Sequence, residues 1–248
     1  MKLVFGKANA KPIKLQNAFG RKVFTFSVLS GFTCPYAKEC LSKAVMGADS
    51  RLHIEDGPHT LWRCFSASQE ALFKGVYNSR LANGALIALA AKSVVEAGYA
   101  IVDNIPKKAG IVRLHVGGDF QTKNYMRSWI YAANERPDIL FYAYTKSLPF
   151  WIALKDSIPA NLILTASYGG HKDELIAKHG LRYAKVVFSV AEADKLGLEI
   201  DNDDSHAADP AKRDQSFALL IHGAQPKGSA AGKAVRLLDG LGSYGKDK

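Results

Sequence analysis

The sequence predicts an α/β protein: one domain built on a partial (β/α) barrel of about six parallel strands, TIM-like in type. Three observations carry this. Six short runs rich in Val, Ile, Leu, Phe and Tyr punctuate the chain. Stretches of helical period separate most of them. Unusual residues then fall directly after the runs, at the carboxyl ends of strands, where α/β proteins collect their chemistry.

The runs are Lys22–Leu29, Ile111–Val116, Ile139–Tyr144, Asn161–Ala166, Ala184–Val190 and Phe217–His222. They are close to continuously apolar, the pattern of strands buried on both faces of a parallel sheet. Between them, Gln69–Ala97 places Ala71, Leu72, Val76, Leu81, Leu86 and Leu89 at helical spacing, and Gln121–Ala133 does so with Tyr125, Trp129 and Ile130. Leu148–Leu154 and Glu174–His179 are shorter helical candidates. Such alternation implies right-handed crossovers, and it suits a nearly closed barrel or an open doubly wound sheet. The barrel is expected over residues 1–226, with a cysteine segment at 30–67. A last helix and a fraying tail are expected over 227–248.

Composition narrows the class. With 248 residues, 48% hydrophobic and 23% charged, the chain is not of disordered type. Its longest apolar stretch, Gly84–Ala91, is far short of the roughly 20 residues that span a bilayer. The amino terminus has no apolar targeting region. A cytoplasmic protein without a membrane partner is expected. Lys and Arg number 33 against 23 Asp and Glu, a formal charge of +10. That balance suits a polyanionic partner such as DNA, RNA or a nucleotide, although no known recognition motif is present.

The chemistry-bearing residues follow the strands. All three cysteines, Cys34, Cys40 and Cys64, lie in the first 64 residues, with five residues between the first two and 23 between the last two. Three thiolates in one neighbourhood suit a [4Fe–4S] cluster with one open iron, or a Cys3His zinc completed by His59 or His53. Three ordinary buried thiols are the plain alternative. After the second run comes His115-Val116-Gly117-Gly118-Asp119, where glycines let a ligand approach the backbone, or where Asp119 caps the next helix. Lys146 follows the third run and suits a carboxylate or phosphate, or else a solvated helix start. Ser167 to His171 follow the fourth, with backbone amides that suit an anion. The acidic stretch Asp201 to His206 reads as a solvated loop rather than a calcium loop.

The segments TCPYAKEC, WRCFSASQEA, RLHVGGDF, YAYTKSLPFW, NLILTASYGG and ALLIHGAQPKG, in this order, resemble the phage gene product 88 family. A host-cytoplasm location follows from that resemblance. A more distant likeness is to phage radical-SAM-like proteins. It rests on the cysteine segment, the Gly-Gly-acid after strand two, Thr145-Lys146 after strand three and Asn161 to Ser167 at strand four. That likeness implies a radical S-adenosylmethionine enzyme acting on a nucleic acid or nucleotide. Cys34, Cys40 and Cys64 would hold the cluster. Gly117, Gly118, Asp119 and Ser167 would bind S-adenosylmethionine, and His115, Lys146 and His206 would form the catalytic wall. The cysteine spacing is wider than the family's C-x3-C-x2-C, so the segment before Cys64 must loop out and return. The competing expectation is a zinc-stabilised nucleic-acid-binding protein without radical chemistry.

Overall fold

The computed structural model describes residues 1–8, 10–238 and 241. In chain order its elements are β1 (Gly6–Lys7), α1 (Ala10–Phe19), β2 (Val23–Phe26), β3 (Ser42–Met46), β4 (Leu52–Asp56), α2 (Phe65–Leu72), α3 (Lys74–Asn83), α4 (Ala85–Lys92), α5 (Val94–Asn104), β5 (Ile111–Leu114) and α6 (Lys123–Glu135). Then come β6 (Leu140–Thr145), α7 (Leu148–Leu154), β7 (Leu162–Ser167), α8 (Glu174–Lys178), β8 (Tyr183–Val187), α9 (Val190–Leu196), β9 (Glu199–Ile200), α10 (Ser205–Ala208), β10 (Phe217–Leu220) and α11 (Ala230–Leu237). The last helix expected after residue 227 is α11, and the tail from 242 onward lies outside the described residues.

Each of the six apolar runs forms a strand, and the six stand side by side in chain order within an eight-stranded sheet, β1-β2-β5-β6-β7-β8-β10-β9. Every neighbouring pair is parallel except β1–β2. Successive residues point to opposite faces. Val112, Leu114, Phe141, Ala143, Leu162 and Leu164 meet α4, α5 and α6 in a core that includes the fully buried Trp129. Ile111, Leu140, Tyr142, Ile163 and Phe217 meet α1 and α10 through Leu15, Ala207 and Ala208. Burial on both faces is why these runs read as continuously apolar.

The barrel expectation resolves to a coarser architecture. The sheet runs from an edge at β1 to an edge at β9, and no pairing between them is present among the described residues. A closed barrel fills its interior with side chains from its own strands. Here α1 and α10 occupy that face instead. β9, only two residues long, adds a seventh parallel strand to the expected six.

The long helical stretch at 69–97 is broken into α2, α3, α4 and α5. Phe73 and Ser93 adopt extended backbone between helices, and the Ser93 hydroxyl accepts the Glu96 amide to start α5. The helix α6 is capped by Thr122, which accepts the Tyr125 amide, so Asp119 is not its cap. Among the described residues no helix is long and apolar enough to cross a membrane.

Candidate functional site

A cavity of about 250 Å³ opens at the carboxyl ends of β5, β6, β7 and β10. The three cysteines, His115 through Asp119, Lys146, Ser167 and His222 all line it, and Lys11 of α1 reaches it from the opposite face. The placement follows from the parallel sheet: side chains after each strand end converge on one rim.

Cys34 sits in the turn after β2, where its Sγ accepts the Gly31 amide at 3.3 Å. The 23 residues between Cys40 and Cys64 do loop out and return, as the antiparallel β3–β4 hairpin. Two amides beside Cys64, those of Leu61 and Trp62, donate to the Glu39 carbonyl beside Cys40 at 2.7 and 3.2 Å. Glu70 of α2, the helix that Cys64 precedes, is buried, pairs with Arg80 of α3 and ties in the Cys34 turn through Ser30. Glu70 accepts Arg80 Nη1 at 2.6 Å, Ser30 Oγ at 2.8 Å and the Ser30 amide.

All three thiols are free. Burial pushes the Cys34 thiol up, reinforced by Asp119 and by the other two cysteines. Burial and Cys40 push Cys64 up to about 11. Cys34 and Cys64 therefore resist deprotonation, and a bound cation is what would convert such thiols to thiolates. Among the described residues no group of three or more His, Cys, Asp and Glu side chains is placed so that it could hold a metal ion. The zinc alternative with a histidine is not assembled either: His53 and His59 are exposed and neither lines the cavity.

The glycine pair serves packing as well as access. A Cβ on Gly117 would stand 2.7 Å from Arg80 Nη1 and 2.9 Å from Ser30 Oγ. Gly118 has φ of +82°, and a Cβ there would stand 2.4 Å from Val28 Cγ2 and 2.5 Å from Thr33 Oγ1. The pair thus lets the cysteine turn lie directly against β5. Asp119, 5% exposed, accepts Thr145 Oγ1 at 2.6 Å and the Phe120 amide at 2.7 Å on Oδ1, and the Lys146 amide at 2.8 Å on Oδ2. A carboxylate has about four acceptor positions. Three are filled, and Oδ2 keeps one. Burial raises the Asp119 carboxyl, with its three donors and Lys146 opposing.

Lys146 lines the cavity, but its ammonium is neither solvated nor open to an anion. Its three protons meet Ser167 Oγ at 2.7 Å, the Tyr168 carbonyl at 2.7 Å and the Ser167 carbonyl at 3.1 Å. It is a strut between the ends of β6 and β7. The amides after β7 are also taken: Gly169 and Gly170 donate to the two oxygens of Asp173 at 2.8 and 2.9 Å.

The acidic stretch is not a solvated loop. Asp201 and Asp204 are 2% and 0% exposed and meet Lys11, Arg113, Tyr142 and Tyr144. His206 lies between Asp201 and Glu199, at 3.1 and 2.8 Å, and is not on the cavity wall. Its bond to Asp201 raises it above an ordinary histidine. The sequence offers no local signal for Lys11, Glu70, Arg80 or Arg113, because each acts through a partner distant along the chain or on another element.

Fold and site together define an α/β protein of parallel-sheet type whose strand ends converge with three free thiols on a single cavity. The chain belongs to the gene product 88 family, whose model matches residues 3–239. No curated protein and no solved structure matches it.

Proposed function

We propose that this protein is a radical-SAM-like iron–sulfur protein acting on a nucleic acid or nucleotide. The observation that carries the reading is the convergence of Cys34, Cys40 and Cys64 on one cavity with an acid that keeps an acceptor position open. By ligand type the donor set suits the group, three soft sulfur ligands on segments joined by hydrogen bonds, although the three side chains would have to close in to bind it. A [4Fe–4S] cluster bound there with S-adenosylmethionine would supply one-electron cleavage of that cofactor.

The chain's own residues do the rest. The Ser30–Glu70–Arg80 network holds the Cys34 turn against the start of α2. Asp119 Oδ2 accepts an amine, in a site dry enough to strengthen that contact. Phe65, Leu219 and Ile221 supply apolar wall that limits water. The formal charge of +10 favours a polyanionic substrate.

Metal and acid-labile sulfide content, with a visible spectrum, tests this on protein purified without oxygen. About four irons and four sulfides per chain are expected. About one zinc without sulfide, or no metal after reconstitution with iron and sulfide, overturns the radical reading. In the zinc case, a salt-dependence titration with DNA and RNA follows.

A further inference from the structure

His115 carries an arrangement that folding alone does not require. Its φ is +59°, the left-handed region, which histidine adopts at a cost that the surrounding structure must override. The override is visible: the His115 amide donates to the Phe26 carbonyl at 2.7 Å, and Phe120 packs edge-on to the imidazole at 4.5 Å. The ring is 5% exposed and lines the cavity. Nε2 lies 3.0 Å from the Tyr125 hydroxyl, while Nδ1 is buried with no hydrogen-bond partner.

Hydrogen-bond accounting assigns the tautomer. Tyr125 is fully buried, and His115 Nε2 is the acceptor its hydroxyl reaches. If Tyr125 accepted from Nε2–H, the phenol proton would be stranded as well, and Nδ1 would be an unmet acceptor. If Tyr125 donates to Nε2, the phenol is satisfied and a single orphan remains, Nδ1–H. Burial pushes the imidazole down to about 3, so it is neutral and does not serve as an acid or base near neutral pH.

We propose that His115 is a specificity-determining residue whose Nδ1–H donates to an acceptor atom of the ligand held in this cavity. The ligand class is a small molecule with a carboxylate, carbonyl or ring-nitrogen acceptor as well as an amine for Asp119. The ligand half of the inference rests on the cofactor reading above. Tyr125 is the positioning residue, because it fixes which nitrogen carries the proton.

Two measurements test it. Long-range proton–nitrogen correlation spectra of the full chain labelled with 15N-histidine report the tautomer directly. Nδ1–H is expected at His115, with Tyr125→Phe releasing the ring to mixed tautomers; an Nε2–H ring in the unsubstituted chain overturns the inference whatever the ligand. S-adenosylmethionine titration of the reconstituted protein reports the second half. His115→Leu should weaken binding about tenfold. His115→Asn, which tolerates the left-handed backbone and keeps an N–H near Nδ1, should hold within about threefold. Tight binding unchanged in His115→Leu overturns this inference and leaves the cofactor reading standing. No binding by the unsubstituted chain overturns both.

Discussion

Two parts of the cavity wall are polar yet built on opposite accounts: a floor where Lys11, Arg113, Tyr144 and Asp201 line it and bond to Asp204, and a rim that carries the cysteines. On the floor, Asp204 accepts Lys11 and Tyr144 on one oxygen and Arg113 and Tyr142 on the other. Asp201 likewise accepts four: the amide and ring of His206, Lys11 and the Asp204 amide. Burial pushes both carboxyls up, and the partners outweigh it, holding them below the ordinary range. On the rim, three thiols are free, Asp119 has one open position and His115 has an unmet nitrogen. A closed network holds structure, whereas unmet groups at a strand-end cavity are what the proposed ligand would satisfy.

The largest break in that comparison is on the floor. Asp204→Ala removes the carboxylate that Lys11, Arg113, Tyr142 and Tyr144 share, leaving Lys11 to Asp201, and is expected to cost about 3–5 kcal/mol. Urea unfolding checks it, and a loss below about 1 kcal/mol would mean that the floor is not closed. Gly118→Ala comes next. Its Cβ has no room at φ of +82°, and about 2–3 kcal/mol of stability should go. On the iron–sulfur reading, metal uptake should fall with it, because the cysteine turn is pushed off β5.

Acid separates the two regions more gently. His115 and His222 are held neutral by burial, at about 3 and about 4. Unfolded histidine titrates near 6.5, so the unfolded chain binds the extra protons and stability falls as pH drops below that value. Each contributes a slope of about 1.4 kcal/mol per pH unit until its folded value is reached. His206 is raised, so its contribution is complete below about 6.5 and is lost as pH rises through its folded value. Asp201 and Asp204 lose theirs only as pH falls below about 3.9. Unfolding measured from pH 7 to pH 4 should therefore slope downward, and His115→Asn should remove about half of that slope. The smallest effect on stability sharpens the contrast most. Cys40→Ala should cost about 1 kcal/mol or less, yet abolish metal uptake measured by elemental content.

Much of the fold was legible. Each apolar run became a strand because burial on both faces leaves no polar alternation to obscure it, as at Leu140 to Ala143. The β3–β4 hairpin was not legible, since Ser42–Met46 and Leu52–Asp56 mix apolar and polar residues without a long apolar run and pair only with each other. The breaks at Phe73 and Ser93 were hidden inside a continuous helical period. At the site, the residue types after each strand were readable but their states were not. Lys146 reads as an anion binder until Ser167 and Tyr168 are seen to take its three protons. Asp201 and Asp204 read as solvated until Lys11, 190 and 193 residues earlier, is seen to reach them.

By itself the sequence determined the strand set, the side chains at each strand's end and the grouping of the cysteines, because these depend on local period and composition. Only the tertiary structure decided which of those side chains are already satisfied. Satisfaction is a property of pairs, and the pairs here join residues on different elements: Ser30 with Glu70, Tyr142 with Asp204, and His115, through its ring, with a tyrosine on the next helix.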